Sequence, residues 1–242
     1  MNEAQFFELL AKTENATVLE LGTKRSMPDR PTHHRNRCHP SANFIMSDYE
    51  DGLDVDVVCD IHSLGDAFGR DSIDFIICCS VFENVQRPWI AAQEIARTLK
   101  PGGMVFVQTH QTFPIHAYPH DYWRYTTEAL MTIFEDADLE TESTTYCFPA
   151  QIFSEQTPNS QASPAFLNAN ILAKKPLDWV DTASAMKAGG TSDRRVRSLV
   201  AELEIACAQL EITCAQLNAL KSSTSWRITA PLRVLVRLLG RP

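Results

Sequence analysis

No CxxC pair occurs among the seven cysteines of this 242-residue chain, and their odd number excludes a fully paired disulfide framework. Reduced, mostly buried thiols are the expected state. No apolar run approaches the roughly 20 residues that a membrane span requires. The start, Met1-Asn2-Glu3-Ala4-Gln5, lacks the basic segment of a signal peptide. A cytoplasmic protein is therefore expected. Positive charge is scarce over most of the length. The formal charge is −8, and the last 21 residues hold four arginines and no acid, which leaves residues 1–221 at −12. So acidic a body argues against a nucleic-acid partner. Glycine is sparse as well. After Gly22 the next is Gly52, so no G-x-G-x-x-G follows the first apolar run, which counts against a nicotinamide-dinucleotide dehydrogenase.

What is present suits one α/β domain with an appendage, since 44% of the residues are hydrophobic and 21% charged. Phe6, Phe7, Leu9 and Leu10 predict a short amphipathic helix. The run from Ala16 through Val18-Leu19-Glu20-Leu21-Gly22 predicts a first strand buried on both faces. Residues 23–40 hold three prolines and five Lys/Arg, so no regular helix is expected there. Further strands are predicted at 43–46, 55–59, 73–79, 104–109, 141–147 and 166–173. Helices are predicted from Pro88, at its first turn, to Leu99 and over 127–137. Strands alternating with helices imply a mainly parallel sheet with right-handed crossovers.

Ligands of such sheets bind beyond the carboxyl ends of the strands, and the sequence places chemistry there. Gly22 permits a turn and a close approach of backbone to ligand, with the Glu20 acceptor beside it. Asp48 and Asp60 close the second and third strands, where ionised carboxylates can accept hydrogen bonds from a diol or an amine. After the fifth strand comes HQTFPIHAYPHDYWRYT, residues 110–126, with three histidines among aromatics. His110, His116 and His120 are candidate bases near neutral pH, with Asp121 to orient one of them. Tyr122, Trp123 and Arg124 are candidates for holding a sugar or a phosphate. No metal site is expected: His33-His34-x-x-x-Cys38-His39 has poor ligand spacing and no second ligand pair.

The order of elements resembles class I S-adenosylmethionine (SAM) dependent methyltransferases of the type 11 kind, over about residues 14–175. Val18-Leu19-Glu20-Leu21-Gly22 looks like their first motif, and Leu99-Lys100-Pro101-Gly102-Gly103 like the turn before their fifth strand. The resemblance implies a Rossmann-like seven-stranded, mainly parallel sheet with the last strand antiparallel and helices on both faces. It implies SAM as cofactor, held by Glu20, Gly22, Thr23, Asp48 on the ribose, Asp60 and Ile61 on the adenine, Ser80, and Phe82 over the ring. From the residues themselves, His116 is the first choice for the base, fixed by Pro119 and the aromatics around it, and His120 beside Asp121 the second. Two departures stand out: Gly22 is alone where two or three glycines are usual, and Glu83 is followed by Asn84 where the family usually has histidine. The phrase from His116 to Thr126 is similar to a signature linked with bacterial surface polysaccharides. That implies O-methylation of a sugar-related acceptor, the alternative being a non-catalytic SAM-fold adaptor in polysaccharide assembly.

Beyond a domain at 1–175 and a linker at 176–193, the chain repeats LEIACAQ as LEITCAQ. Heptad d positions Val196, Leu203, Leu210 and Leu217 predict a coiled-coil helix over 194–221, and so a homo-oligomer or a coiled-coil partner. Arg233, Arg237 and Arg241 among Val and Leu make 222–242 a basic amphipathic tail, suited to the inner membrane surface.

Overall fold

Asn2 opens the first helix, α1 (Glu3–Lys12), with a capping box: its side chain accepts from the Gln5 N–H while Gln5 reaches back to the Asn2 N–H. The structure, a computed structural model, describes residues 1–27, 29–152 and 165–181. The expected heptad helix and basic tail, and the linker past Asp181, lie outside them. No described helix is long and apolar enough to cross a membrane.

After α1 the chain forms β1 (Thr17–Leu21), β2 (Asn43–Asp48), β3 (Val57–Val58), α2 (Leu64–Phe68), β4 (Ile73–Cys79), α3 (Pro88–Thr98), β5 (Leu99–His110), α4 (Thr127–Glu135), β6 (Glu140–Ala150) and β7 (Ala165–Lys174). The seven strands make one sheet in the order β3-β2-β1-β4-β5-β7-β6. Neighbours from β3 to β5 run parallel, and β7 runs antiparallel to both β5 and β6. The sheet is thus mixed, with its antiparallel strand last in the chain, as expected. Side chains alternate across it. Leu19, Leu21, Ile76, Cys78, Val105 and Val107 face α3 and α4. Val18, Phe75, Ile77 and Phe106 meet Phe6, Phe7 and Leu10 of α1. The Phe6 ring lies 6.0 Å from Phe75 and 5.8 Å from Phe106, edge-on to the first and stacked on the second.

One difference from expectation, and one agreement, bear on the site. The third strand is two residues long instead of five, because Asp56 Oδ2 accepts the Met46 N–H at 2.9 Å in place of a ladder partner. The connection from β1 to β2 has one 3-10 turn, Arg35–Arg37, and no α-helix among its described residues, as its prolines and charges imply. At the start of β5, Gly103 is required by close approach: a Cβ there would stand 2.9 Å from both the Asp74 and the Lys100 carbonyl oxygens.

Candidate active site

The carboxyl ends of β1 to β4 surround a pocket of about 510 Å³, within the usual range for small-molecule sites, roughly 300–1,000 Å³. Gly22, Asp48, Asp60, Ile61 and Ser80 line it, and His120 and Tyr122 close it from the loop after β5. Gly22 has φ +75°, and a Cβ there would stand 2.2 Å from Val81 Cγ2, so only glycine fits the turn. Ser80 also takes a positive φ, 56°, with its N–H donating to the Gln108 carbonyl at 2.8 Å. Such a backbone at a strand end is a frequent mark of functional sites.

The two strand-end carboxylates are held by their neighbours. Asp48 accepts from the backbone N–H of Lys24 at 3.0 Å and of Glu50 at 3.2 Å, one bond to each oxygen. Each oxygen keeps a lone pair for a ligand. Asp60 caps a 3-10 turn, taking both the His62 N–H at 2.9 Å and His62 Nδ1 at 2.6 Å on Oδ1. Arg87 N–H donates to His62 Nε2, so the ring carries its proton on Nδ1. Partial burial pushes the Asp60 carboxyl up, but the His62 bonds outweigh it and the net displacement is downward. Tyr49, His62 and Asn84 also line the pocket and were not foreseen. Their position next to Asp48, Asp60 and Glu83 in the chain was the available signal.

Three residues expected at the cofactor lie elsewhere. Phe82 is fully buried, stacked on Phe134 at 5.4 Å and edge-on to Tyr125, because the 3-10 turn Phe82–Asn84 points it into the core. Val81 and Val85 take the pocket wall in its place. The Glu20 carboxylate is buried on the α1 face, where it accepts from the His34 N–H and meets His34 Nδ1, both at 2.7 Å. Thr23 is buried with its hydroxyl donating to the Asp54 carbonyl at 2.6 Å. Neither lines the pocket.

The loop after β5 is folded around Arg124. Its N–H groups donate to both oxygens of Asp121 at 2.6 and 2.9 Å, and to the carbonyls of Phe113, Pro114 and Trp123. Five donors therefore have five acceptors, and Arg124 has none left for an acceptor substrate, contrary to expectation. The Arg124 hydrogen bonds hold the Asp121 carboxyl far below its ordinary range. Asp121 serves His116 and not its neighbour His120. It accepts the His116 N–H at 2.9 Å and lies 3.7 Å from His116 Nδ1. His120 instead stands 3.3 Å from the Tyr122 hydroxyl and edge-on to Tyr49, on the pocket wall. Trp123 is partly exposed and packs edge-on against Trp89.

Beneath the loop lies Glu83, 0% exposed. Its carbonyl accepts the N–H groups of Tyr122 and Trp123 at 2.9 and 3.1 Å. Its Oε2 accepts from the Thr109 hydroxyl at 2.6 Å. Its Oε1 faces His110 Nδ1 at 3.2 Å and His116 Nε2 at 3.8 Å. Burial pushes the Glu83 carboxyl up and His110 down to about 4. By contrast, the histidines of residues 33–39 are dispersed: His34 is on Glu20, and His39 Nδ1 is 2.8 Å from the Ser41 hydroxyl.

This fold has counterparts among known proteins. Residues 7–107 match the family model described as a methyltransferase domain. A Bacillus halodurans protein provisionally described as a methyltransferase superposes with a TM-score of 0.51 at 15% identity, over 72% of this chain and 98% of that one. The YcgJ protein of Bacillus subtilis gives 0.50 at 16% identity, over 72% and 97%. A SAM-dependent methyltransferase from Aquifex aeolicus gives 0.48 at 13%, over 71% and 88%. No curated protein matches. The family match over residues 7–107 supports a methyltransferase and, with it, S-adenosyl-L-methionine as cofactor, and the solved structures share the fold.

Proposed function

We propose that this chain transfers a methyl group from SAM to a hydroxyl of a sugar-related small molecule. The observation that carries the reading is the pocket itself, which joins a glycine turn that admits no Cβ to two strand-end carboxylates. The residues fit the cofactor. Gly22 would let its backbone approach the amino-acid end. Asp48 has lone pairs for the ribose diol, and Asp60 with Ile61 on the pocket wall would read an adenine edge. Negative charge around the pocket also favours a sulfonium. When bound, the cofactor supplies an electrophilic methyl group, and the protein supplies orientation and a base.

His120 is the base that the geometry favours, because it lines the pocket and His116 does not. It would take the hydroxyl proton from the acceptor, with the Tyr122 hydroxyl steadying the ring. The exposed faces of Tyr49, Tyr118 and Tyr122 support a sugar acceptor, since aromatic faces combine an apolar surface with a polar edge. Calorimetry with SAM is the first test, and absence of binding would leave the adaptor reading. The second is His120→Ala, assayed by mass spectrometry for methylated products from a panel of sugar-containing acceptors. Loss of a general base costs roughly 10²–10⁴-fold in turnover, with SAM affinity retained. Near-full turnover would remove His120 from the role.

From their sequence, we assign residues 194–221 to self-association or pairing and 222–242 to an anionic membrane surface, with the protein cytoplasmic. Light scattering on the full chain tests the first. Liposome sedimentation with Arg227, Arg233, Arg237 and Arg241 changed to serine tests the second.

A further inference from the structure

Glu83, His110 and His116 come from three places in the sequence and converge on one spot. Each offers one ligand atom, and the three atoms lie within 4.8 Å of one another. Among the described residues, theirs is the one group of His, Cys, Asp and Glu side chains so arranged. Glu83 Oε1 and His110 Nδ1 are shielded from solvent and neither makes a hydrogen bond, although they are 3.2 Å apart. Leaving such groups unpaired costs about 1–3 kcal/mol each, so their convergence calls for a ligand.

We infer that Glu83, His110 and His116 bind a first-row divalent metal ion through one carboxylate oxygen and two imidazole nitrogens. Imidazole and carboxylate together suit zinc and its neighbours, and three protein ligands leave a position for a further one. Ligand bonds of about 2.0–2.1 Å at tetrahedral angles put neighbouring donor atoms roughly 3.4 Å apart. The Glu83–His110 and Glu83–His116 separations of 3.2 and 3.8 Å lie on either side of that value.

The surroundings are those of a metal site as well. Ligating carboxylates and imidazoles are usually oriented by outer partners. The other Glu83 oxygen accepts from Thr109, and the other His116 nitrogen faces Asp121 at 3.7 Å. Asp121 is itself fixed by Arg124. The His110 ring is stacked on Phe113 with centroids 3.9 Å apart. The His116 side chain is 29% exposed, which gives an ion a way in. A bridging water could also satisfy these groups, and the experiment separates it from an ion.

The full-length protein, stripped with a chelator, is titrated with cobalt(II) and followed by visible absorption, and zinc(II) is then added as competitor. The expected result is one equivalent of cobalt with intense ligand-field bands and no thiolate charge-transfer band, displaced by zinc. His116→Ala should weaken binding by more than roughly 100-fold, beyond the 10–100-fold typical of losing an outer partner, and Asp121→Asn should fall within that range. His39→Ala should leave affinity unchanged. Glu83→Gln, which keeps the shape of the buried side chain, should abolish the bands while its circular dichroism spectrum stays that of the wild type. No stoichiometric binding, bands that survive in His116→Ala, or thiolate bands would each overturn the inference. None of these readouts depends on methyl transfer.

Discussion

Changing Gly22 to alanine tests the pocket at its narrowest point. Two costs act at once. A φ of +75° puts an L-residue in the left-handed region, at about 1–2 kcal/mol. The new methyl would sit 2.2 Å from Val81 Cγ2, far inside contact distance. Valine is stiff at χ1, so relief requires the segment after β4 to shift, an overpacking cost of roughly 1–3 kcal/mol. The reduced freedom of the unfolded chain returns only about 0.4–1 kcal/mol. The net is a loss of about 1–5 kcal/mol of stability, read from urea unfolding midpoints. SAM affinity should fall with it, since Gly22 and Val81 both line the pocket. The double variant with Val81→Ala separates the two costs. Removing the methyl that collides should recover the packing part and leave the backbone part. If Gly22→Ala alone unfolds at the wild-type midpoint and binds SAM normally, the close contact is not a constraint and the reasoning fails.

Three further outcomes can be checked. Asp48→Ala should weaken SAM binding by roughly 1.5–3 kcal/mol, the range for hydrogen bonds to charged groups, and unchanged calorimetric affinity would remove Asp48 from the site. Arg124→Lys cannot meet five acceptors with three donors, so the loop of residues 110–126 should be cut faster in limited proteolysis, and an unchanged cleavage rate would show that the clamp is dispensable. Burial, with Glu20 adding, pushes the Cys38 thiol up to about 11. Only the thiolate reacts, so its alkylation at pH 8 should be on the order of 100-fold slower than that of an unperturbed thiol and rise about tenfold per pH unit. Peptide mass spectrometry showing ordinary labelling of Cys38 at pH 8 would contradict that displacement.

How much was legible in the sequence follows from what each feature depends on. β1 and β4 were readable to within a residue because they are buried on both faces, and Pro88 marks its helix by chemistry that acts within one turn. Gly22, Asp48, Asp60 and Ser80 were readable because strand ends in a parallel sheet converge in space. Phe82 was not, since its direction depends on a 3-10 turn that no local pattern announces. Nor was the saturation of Arg124, which depends on three carbonyls presented by a folded loop. The meeting of Glu83 with His110 could have been found. Parallel pairing of β4 with β5 sets Cys79 beside Gln108, so the residues just past β4 must lie near His110 at the end of β5. Counting histidines within one segment concealed a pair that spans two.

That pairing also makes residues 80–85 the joint between the two halves of the site. Ser80 and Val81 form the pocket wall against Gly22, and Asn84 and Val85 continue it. Between them, the Phe82 carbonyl accepts the Tyr125 hydroxyl, and the Glu83 carbonyl holds the backbone of Tyr122 and Trp123. Each such bond contributes about 0.5–1.5 kcal/mol, but their geometric consequence is larger than their energy. The loop that carries His120 and Tyr122 is positioned by the same few residues that shape the cofactor wall. The side chains divide the labour: Phe82 locks the segment into the core, and the Glu83 carboxylate stays among the histidines under the loop. The first strand supplies the turn with no Cβ. The segment after the fourth strand decides what that turn faces and where the loop above it can sit.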